Sequence, residues 1–441
     1  MTAVARRDSI LAGLTVRGRC LLAGGLAALV CAAVLHEVNL ARVGVFLLGL
    51  PLLSYAMVAR TRYRLTCTRR LEPVRVQAGS PARVVLRLQN VSRLPTGVML
   101  AEDTVPYMLG GRPRFVLDRV VPQRSVEVDY AVRSQLRGRY RIGPLTVRLN
   151  DAFGLCELAR SFSASDVLVV TPHVVPLPEV RLGGDWAGAG ESRARSVATS
   201  GEDDAATREY RQGDDLRRIH WRSTARRGEL MVRREEQPWQ SRAVLLLDCR
   251  AGVHHGDGPG ASLEWAISAA ASVGLHLARS GFTVRVITDA GEEVTPDAAG
   301  NSFGDLLLDS LAMRTASTST NLQAGVAALR RGGGEELLIA IVGPMPSEDA
   351  QSLARVVQSG PSVGIALVVD TGSWTTLAPR AAVAARQAHE DACDILAAAG
   401  WRVLPVIAGM TVAQAWSSAG VGLTAATGRV AARLATGRSG A

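Results

Sequence analysis

Two uncharged apolar runs stand close together near the start of the chain. Cys20 to His36 carries no formal charge, and after a polar break from Glu37 to Arg42 a second uncharged run extends from Val43 to Ala59. Each is close to the roughly 17 residues that the shortest helical crossing of a hydrocarbon core requires. The short break predicts an antiparallel pair, a two-helix transmembrane hairpin. Pro51 inside the second run predicts a kink, which is tolerated where neighbouring groups re-satisfy the backbone. A buried core hairpin or a cleaved secretory signal gives a similar pattern, but the immediate second run speaks for a retained anchor.

Beyond residue 60 the period shortens to two. Ala82 to Asn90 alternates apolar and polar positions over most of its length, and similar short runs stand at Ser125–Val132, Gly138–Ile142, Leu145–Leu149 and Val167–Val170. Turn-forming Gly, Pro, Asn and Ser separate these runs, a spacing that predicts a β-sandwich-like domain over 61–175. Asn150 to Leu155 reads as a tight turn closed by Phe153 and Leu155. After a Gly-, Ala- and Ser-rich stretch the pattern changes once more. From Ala243 strands and helices alternate, with strands at Ala243–Asp248, Thr283–Thr288, Leu337–Val342, Val363–Asp370 and Arg402–Ile407. Helices fall at Ser262–Ser280, Leu322–Arg330, Gln351–Gln358 and Ala381–Ala399, an alternation that predicts a parallel sheet wrapped by helices. The expected divisions are 1–60 for the tail and hairpin, 61–175, a linker and charged segment over 176–240, the α/β domain over 241–420, and a disordered tail over 421–441.

Composition adjusts this outline in three ways. Aromatic residues make up only 4% of the chain against 47% hydrophobic, so Val, Leu and Ala must fill the cores. The formal net charge is +10, yet all 50 basic residues are arginine and they are interspersed with acids, which argues against nucleic acid and leaves a bilayer or a protein as partner. Six cysteines without a C-x-x-C pair predict neither a zinc site nor a disulfide framework, and fit a reducing compartment. Arginine placement orients the hairpin. Arg6, Arg7, Arg17 and Arg19 precede it and Arg60, Arg62, Arg64, Arg69 and Arg70 follow it, whereas the break holds Arg42 alone. The positive-inside rule therefore expects a two-pass protein of the cell membrane, with its N-terminus and soluble domains cytoplasmic.

The densest charge pattern runs from Arg208 to Glu236. Its candidate residues are Arg208, Glu209, Tyr210, Gly213, Asp214, Asp215, Arg217, Arg218, His220, Trp221 and Arg222. Asp214 or Asp215 would cap a helix that Gly228 ends, and Leu230–Arg234 would return as a strand. Three roles are open to it. Arg and Asp side chains can lock the segment to its neighbours; Arg and Trp can anchor a protein partner; or His220 can act as a base with Asp214 and Asp215 in a metal-dependent hydrolase.

This stretch resembles the signature of the domain of unknown function 58 family, and Leu136–Pro144 and Asn150–Leu155 resemble its pattern too. The resemblance implies a membrane hairpin, a β-rich segment and a von Willebrand factor type A-like domain, in that order. It also implies a MoxR-type AAA+ ATPase as partner. Metal-binding domains of that type end their first strand in D-x-S-x-S. Here the position reads Asp248-Cys249-Arg250-Ala251-Gly252, so both serines are lost, and Arg250 can pair with Asp248. Thr320 resembles the later threonine ligand, while Gly343-Pro344 stands where a second aspartate belongs. The expectation is a remnant at Asp248 and Thr320 without metal, no cofactor and no enzyme activity. A metal-dependent adhesion site through those two residues is the remaining alternative.

Overall fold

The computed structural model describes residues 13–60, 65–93, 95–150, 153–179, 207–209, 219, 221–233, 242–294, 301–331, 336–358 and 363–420. The chain divides into two compact units, Met1–His173 and Val174–Ala441. The tail expected at 421–441 lies outside the described residues.

The first unit opens with helices α1 (Val16–Leu35) and α2 (Val38–Arg60), both long and apolar enough to cross a membrane. The turn between them is shorter than the Glu37–Arg42 break that the charges suggested. His36 takes a left-handed conformation (φ 56°), Glu37 completes the turn, and α2 already begins at Val38. A helix carries isolated polar residues such as Asn39 and Arg42 without interruption, and Arg42 donates a hydrogen bond to Asn39 one turn away (3.3 Å). The helices approach closely at two glycines. A Cβ on Gly25 would stand 2.8 Å from Leu48 Cγ, and one on Gly44 would stand 2.8 Å from Leu29 Cγ. Small residues at such crossings let backbones pack where no hydrophobic effect drives association. In α1 only Gly18, Gly25 and Ala32 are buried, while Leu26, Val30, Val34 and Leu35 stay exposed. A core hairpin of a water-soluble body would hide those side chains.

Ten strands follow: β1 (Leu65–Glu72), β2 (Arg75–Gln77), β3 (Pro81–Asn90), β4 (Met99–Asp103), β5 (Arg114–Leu117), β6 (Ser125–Arg133), β7 (Gly138–Ile142), β8 (Leu145–Asn150), β9 (Glu157–Phe162) and β10 (Asp166–Thr171). They form sheets of order β1-β3-β6, β2-β10-β7 and β5-β4-β8-β9. Along β3, Ala82, Val84, Leu86 and Leu88 are buried, as a period of two requires. Leu86 and Leu88 pack with Met99, Ala101, Leu145 and Val147, which joins the first sheet to the third. Val84 and Val132 pack with Ile142, Leu168 and Val170, which joins it to the second.

A buried ion network ties the three sheets together. Arg69 on β1 is 2% exposed at its side chain; it donates to Asp103 (2.7 and 3.3 Å), Asp166 (3.2 Å) and the carbonyls of Ile142 (3.2 Å) and Ala164 (3.3 Å). Tyr130 donates to the same Asp103 at 2.6 Å. Burial and the bond to Asp103 both push the Tyr130 phenol upward in pKa, so it remains a donor. Gly143 makes room for this network. At φ 105°, a Cβ there would stand 2.8 Å from both Arg69 Nη1 and Ala164 O. This explains the glycine near the end of the Leu136–Pro144 segment.

The second unit carries a five-stranded, wholly parallel sheet of β13 (Arg242–Leu247), β14 (Thr283–Thr288), β15 (Glu336–Val342), β16 (Val363–Val369) and β17 (Arg402–Val406), ordered β14-β13-β15-β16-β17. Before it, β11 (Thr207–Glu209) pairs antiparallel with β12 (Met231–Arg233), and α3 (Trp221–Arg227) lies between them in sequence. Around the sheet run α4 (Ser262–Arg279), α5 (Asn301–Met313), α6 (Gln323–Arg330), α7 (Ser347–Gln358), α8 (Pro379–Ala398) and α9 (Val412–Ser417). One face packs Leu245 and Leu247 with Ile267, Leu307 and Trp416; the other packs Leu246 with Val326, Leu353 and Leu396. Five residues of β13 in succession are buried, the signature of a central strand covered on both sides.

Candidate functional site

In open parallel sheets ligands bind at the carboxyl ends of the strands, where the strand order reverses. Here that point lies between β13 and β15, because the chain steps from β13 outward to β14 and then back to β15 on the other side. Asp248 follows β13 and Gly343 follows β15. Both face one buried charge. Arg250 grips Asp248 with two parallel bonds, Nε to Oδ1 at 2.9 Å and Nη2 to Oδ2 at 2.8 Å. The Arg250 N–H adds a bond to Oδ1 (3.1 Å) and the Gly343 N–H one to Oδ2 (3.0 Å). A carboxylate offers about four lone-pair sites, so those of Asp248 are all taken.

The guanidinium is equally occupied. Its Nη2 donates to Pro344 O (3.2 Å), and its Nη1 stands 3.6 Å from Asp349. Side-chain exposure is 3% for Arg250 and 0% for Asp248. Burial by itself lowers the arginine pKa, but the bonds to Asp248 and the charges of Asp248, Asp349 and Asp289 reverse this and raise it, so the cation is held firmly. Divalent cations need several free oxygen ligands; Asp248 has none to give while Arg250 is in place.

Asp289, which follows β14, completes the arrangement and was not singled out from sequence. It is fully buried, accepting from the Cys249 N–H (2.9 Å) and from the Ser317 hydroxyl. Ser317 is placed there because residues 249–251 pair with it: its N–H donates to Cys249 O (2.7 Å) and its carbonyl accepts from Ala251 N–H (2.9 Å). The hydroxyl at the strand end is thus that of Ser317, whereas Thr320 is exposed and is not among the four donors to Asp248. Beside Asp289 opens a cleft of about 650 Å³ lined by Thr288, Ser310, Arg314, Ser317 and Ser319. A Ser–His pair adjoins Asp248. His254 Nδ1 meets Ser262 Oγ at 3.0 Å, and Nε2 meets Asp248 O at 3.0 Å. Ser262 is fully buried and also accepts from His255 N–H, so the pair fastens the loop before α4.

The charged signature is only partly in view. Tyr210, Gly213, Asp214, Asp215, Arg217, Arg218 and His220 lie outside the described residues. Arg208 and Glu209 are in β11, opposite Val232 and Met231. Arg222 is in α3. Trp221, the first residue of α3, is 68% exposed. Among the described residues the helix runs from Trp221 to Arg227, and Gly228 ends it at φ 78° with its N–H on Thr224 O (2.8 Å).

Comparison with known proteins agrees with this picture at the level of family. Residues 206–373 match the family described as protein of unknown function DUF58. The chain is 27% identical over 191 residues to the uncharacterized protein YeaD of Bacillus subtilis, covering 41% of this chain and 46% of that protein. It therefore spans about half the length of that relative. Among solved structures, the CARDB domain of a Pyrococcus furiosus protein is 14% identical, covering 24% of this chain and 91% of its own, with a TM-score of 0.18. The sporulation control protein Spo0M of Bacillus subtilis is 10% identical, covering 25% and 50%, with a TM-score of 0.16. Scores this low carry no argument. The charged signature, the sheet apex at Asp248 and the strands from β11 to β16 all fall within the segment that matches the DUF58 family.

Proposed function

We propose that this protein is a membrane-anchored, non-enzymatic scaffold. Its two apolar helices hold it in the cell membrane, and both soluble units face the cytoplasm. The parallel-sheet unit, read as a degenerate von Willebrand factor type A-like domain, binds protein without metal. A MoxR-type AAA+ ATPase, implied by the family resemblance, is the partner. The observation that carries this reading is the saturation of Asp248: a built-in guanidinium occupies the position at the strand ends where such a fold would use a cation. The exposed Trp221 supports α3 as a docking element, since aromatic side chains on a surface are favoured anchors.

Arg69 is enclosed in the ion network and is not available to headgroups, so Arg17, Arg19 and Arg60 carry more of the flanking charge. Purification of the tagged full-length protein from detergent, with non-hydrolysable nucleotide present, tests the partnership. Recovery of an AAA+ ATPase is expected, and repeated purifications without one would defeat the proposal. Protease treatment of intact spheroplasts tests orientation: the soluble units should survive until the membrane is opened.

A further inference from the structure

The Asn150–Leu155 segment plays no part in the scaffold reading, yet its described residues and Cys156 after them are fastened to the start of α1 and to α2. Thr15, the N-cap of α1, donates its N–H to Leu155 O (2.9 Å) and its hydroxyl to Gly154 O (2.7 Å). Glu157 N–H donates to Gly13 O (2.9 Å), and the Cys156 thiol meets the carbonyl of Pro51, inside α2, at 3.8 Å. These bonds join the start of α1 directly to the β-rich module.

The level of this junction follows from helix geometry. At 1.5 Å per residue, Thr15, which holds Leu155 and Gly154, lies about 30 Å along α1 from Leu35 at the hairpin tip. A hydrocarbon core is about 30 Å thick. When the tip reaches one surface of the core, the 153–156 loop must therefore lie at the boundary of the other, within the reach of lipid. Phe153, next to Gly154, is 62% exposed there. Val16 on α1 and Leu52 and Leu53 on α2 are exposed at the same junction, and so are Arg17 and Arg19.

We infer that Phe153 is a lipid-interface anchor, its ring lodged at the headgroup–acyl boundary beside the first turn of α1, with Arg17 and Arg19 available to lipid phosphates. Phenylalanine on a segment that rests on the membrane surface buries its ring at the headgroup–acyl boundary while the basic residues beside it stay with the headgroups. The anchor sets the β-rich module directly on the bilayer. The inference rests on the membrane reading of the hairpin, and the test separates the two.

A photoreactive benzoylphenylalanine is placed singly at position 153, 26 or 107 of the full chain, reconstituted in phosphatidylethanolamine–phosphatidylglycerol vesicles. Leu26 is exposed mid-way along α1. Tyr107 is exposed beyond Asp103, which pairs with Leu145 at the end of β8 opposite Asn150. Lipid adducts at 26 and 153, each several-fold above 107, are the expected result. Adducts at 26 with 153 no higher than 107 would overturn the anchor and leave the hairpin in the membrane. Their absence at 26 would overturn both.

Discussion

Asp248 and Arg250 are two residues apart, close enough for one side chain to fold back on the other, and the fork geometry of guanidinium on carboxylate makes the pair specific. Removing one partner of a buried pair leaves an uncompensated charge, a loss of about 3–5 kcal/mol. Arg250→Met should therefore lower the thermal midpoint of the second unit sharply. All seven tryptophans lie at or beyond Trp186, so selectively excited tryptophan fluorescence reports that unit alone. The midpoint of the unaltered protein should not move with millimolar magnesium, and a rise would show a metal site that the saturated carboxylate does not offer. In the first unit the sensitive position is Gly143. Ala there must take a left-handed backbone and press on Arg69 and Ala164, a strain of about 1–3 kcal/mol before the network is disturbed. Cys67 gives the readout. Burial pushes its thiol up to about 11, so it should resist maleimide at neutral pH. Peptide mass mapping should find it labelled faster in Gly143→Ala; equal rates would mean that the glycine is not needed.

Elements of the second unit share a titration. His254 before α4, His276 in α4 and His389 in α8 are each held below the 6.5 of a free imidazole, chiefly by burial. Below about pH 6.5 the unfolded chain takes up protons that the folded unit refuses. The unfolded state then binds more of them, and stability falls with falling pH until the folded values are passed. Fluorescence-detected midpoints should be flat above pH 7 and decline from about 6.5 downward; a midpoint that rises on acidification would contradict the assignment. Elements were also where local reading was strongest. β6, β7 and β8 alternate cleanly and β3 over most of its length, while β10 and the sheet strands of the second unit are short apolar runs. β1, by contrast, reads Leu-Thr-Cys-Thr-Arg-Arg-Leu-Glu, an alternation broken at Arg69, which points inward to serve the ion network. β4, β5 and β9 are short or charged at their ends, and their pairing comes from neighbours distant in sequence. Helix α5 carries Phe303, Leu307 and Leu311 at a spacing of four, a signal that was present and passed over.

For the whole molecule, the scaffold reading makes Trp221 a surface residue that serves binding. Trp221→Ala should leave the thermal midpoint nearly unchanged, since exposed substitutions alter stability by about half a kcal/mol or less. The same variant should recover much less AAA+ ATPase in the co-purification. Loss of stability without loss of partner would make the residue structural instead. What the sequence determined by itself is what depends on neighbours along the chain: the paired apolar runs, the alternation of the β-rich module, the strand–helix rhythm beyond Ala243, and the replacement of both serines after Asp248. An arginine two residues from an aspartate could be read as its partner without coordinates. Tertiary structure alone decided the rest. Ser317 reaches Asp289 through pairing across nearly seventy residues with 249–251, Gly343 closes on Asp248 from another strand, and Arg69 finds Asp103 and Asp166 on separate sheets. Those contacts are set by which strands lie side by side, and strand order is chosen by packing of the whole core, a quantity that no local run of residues contains.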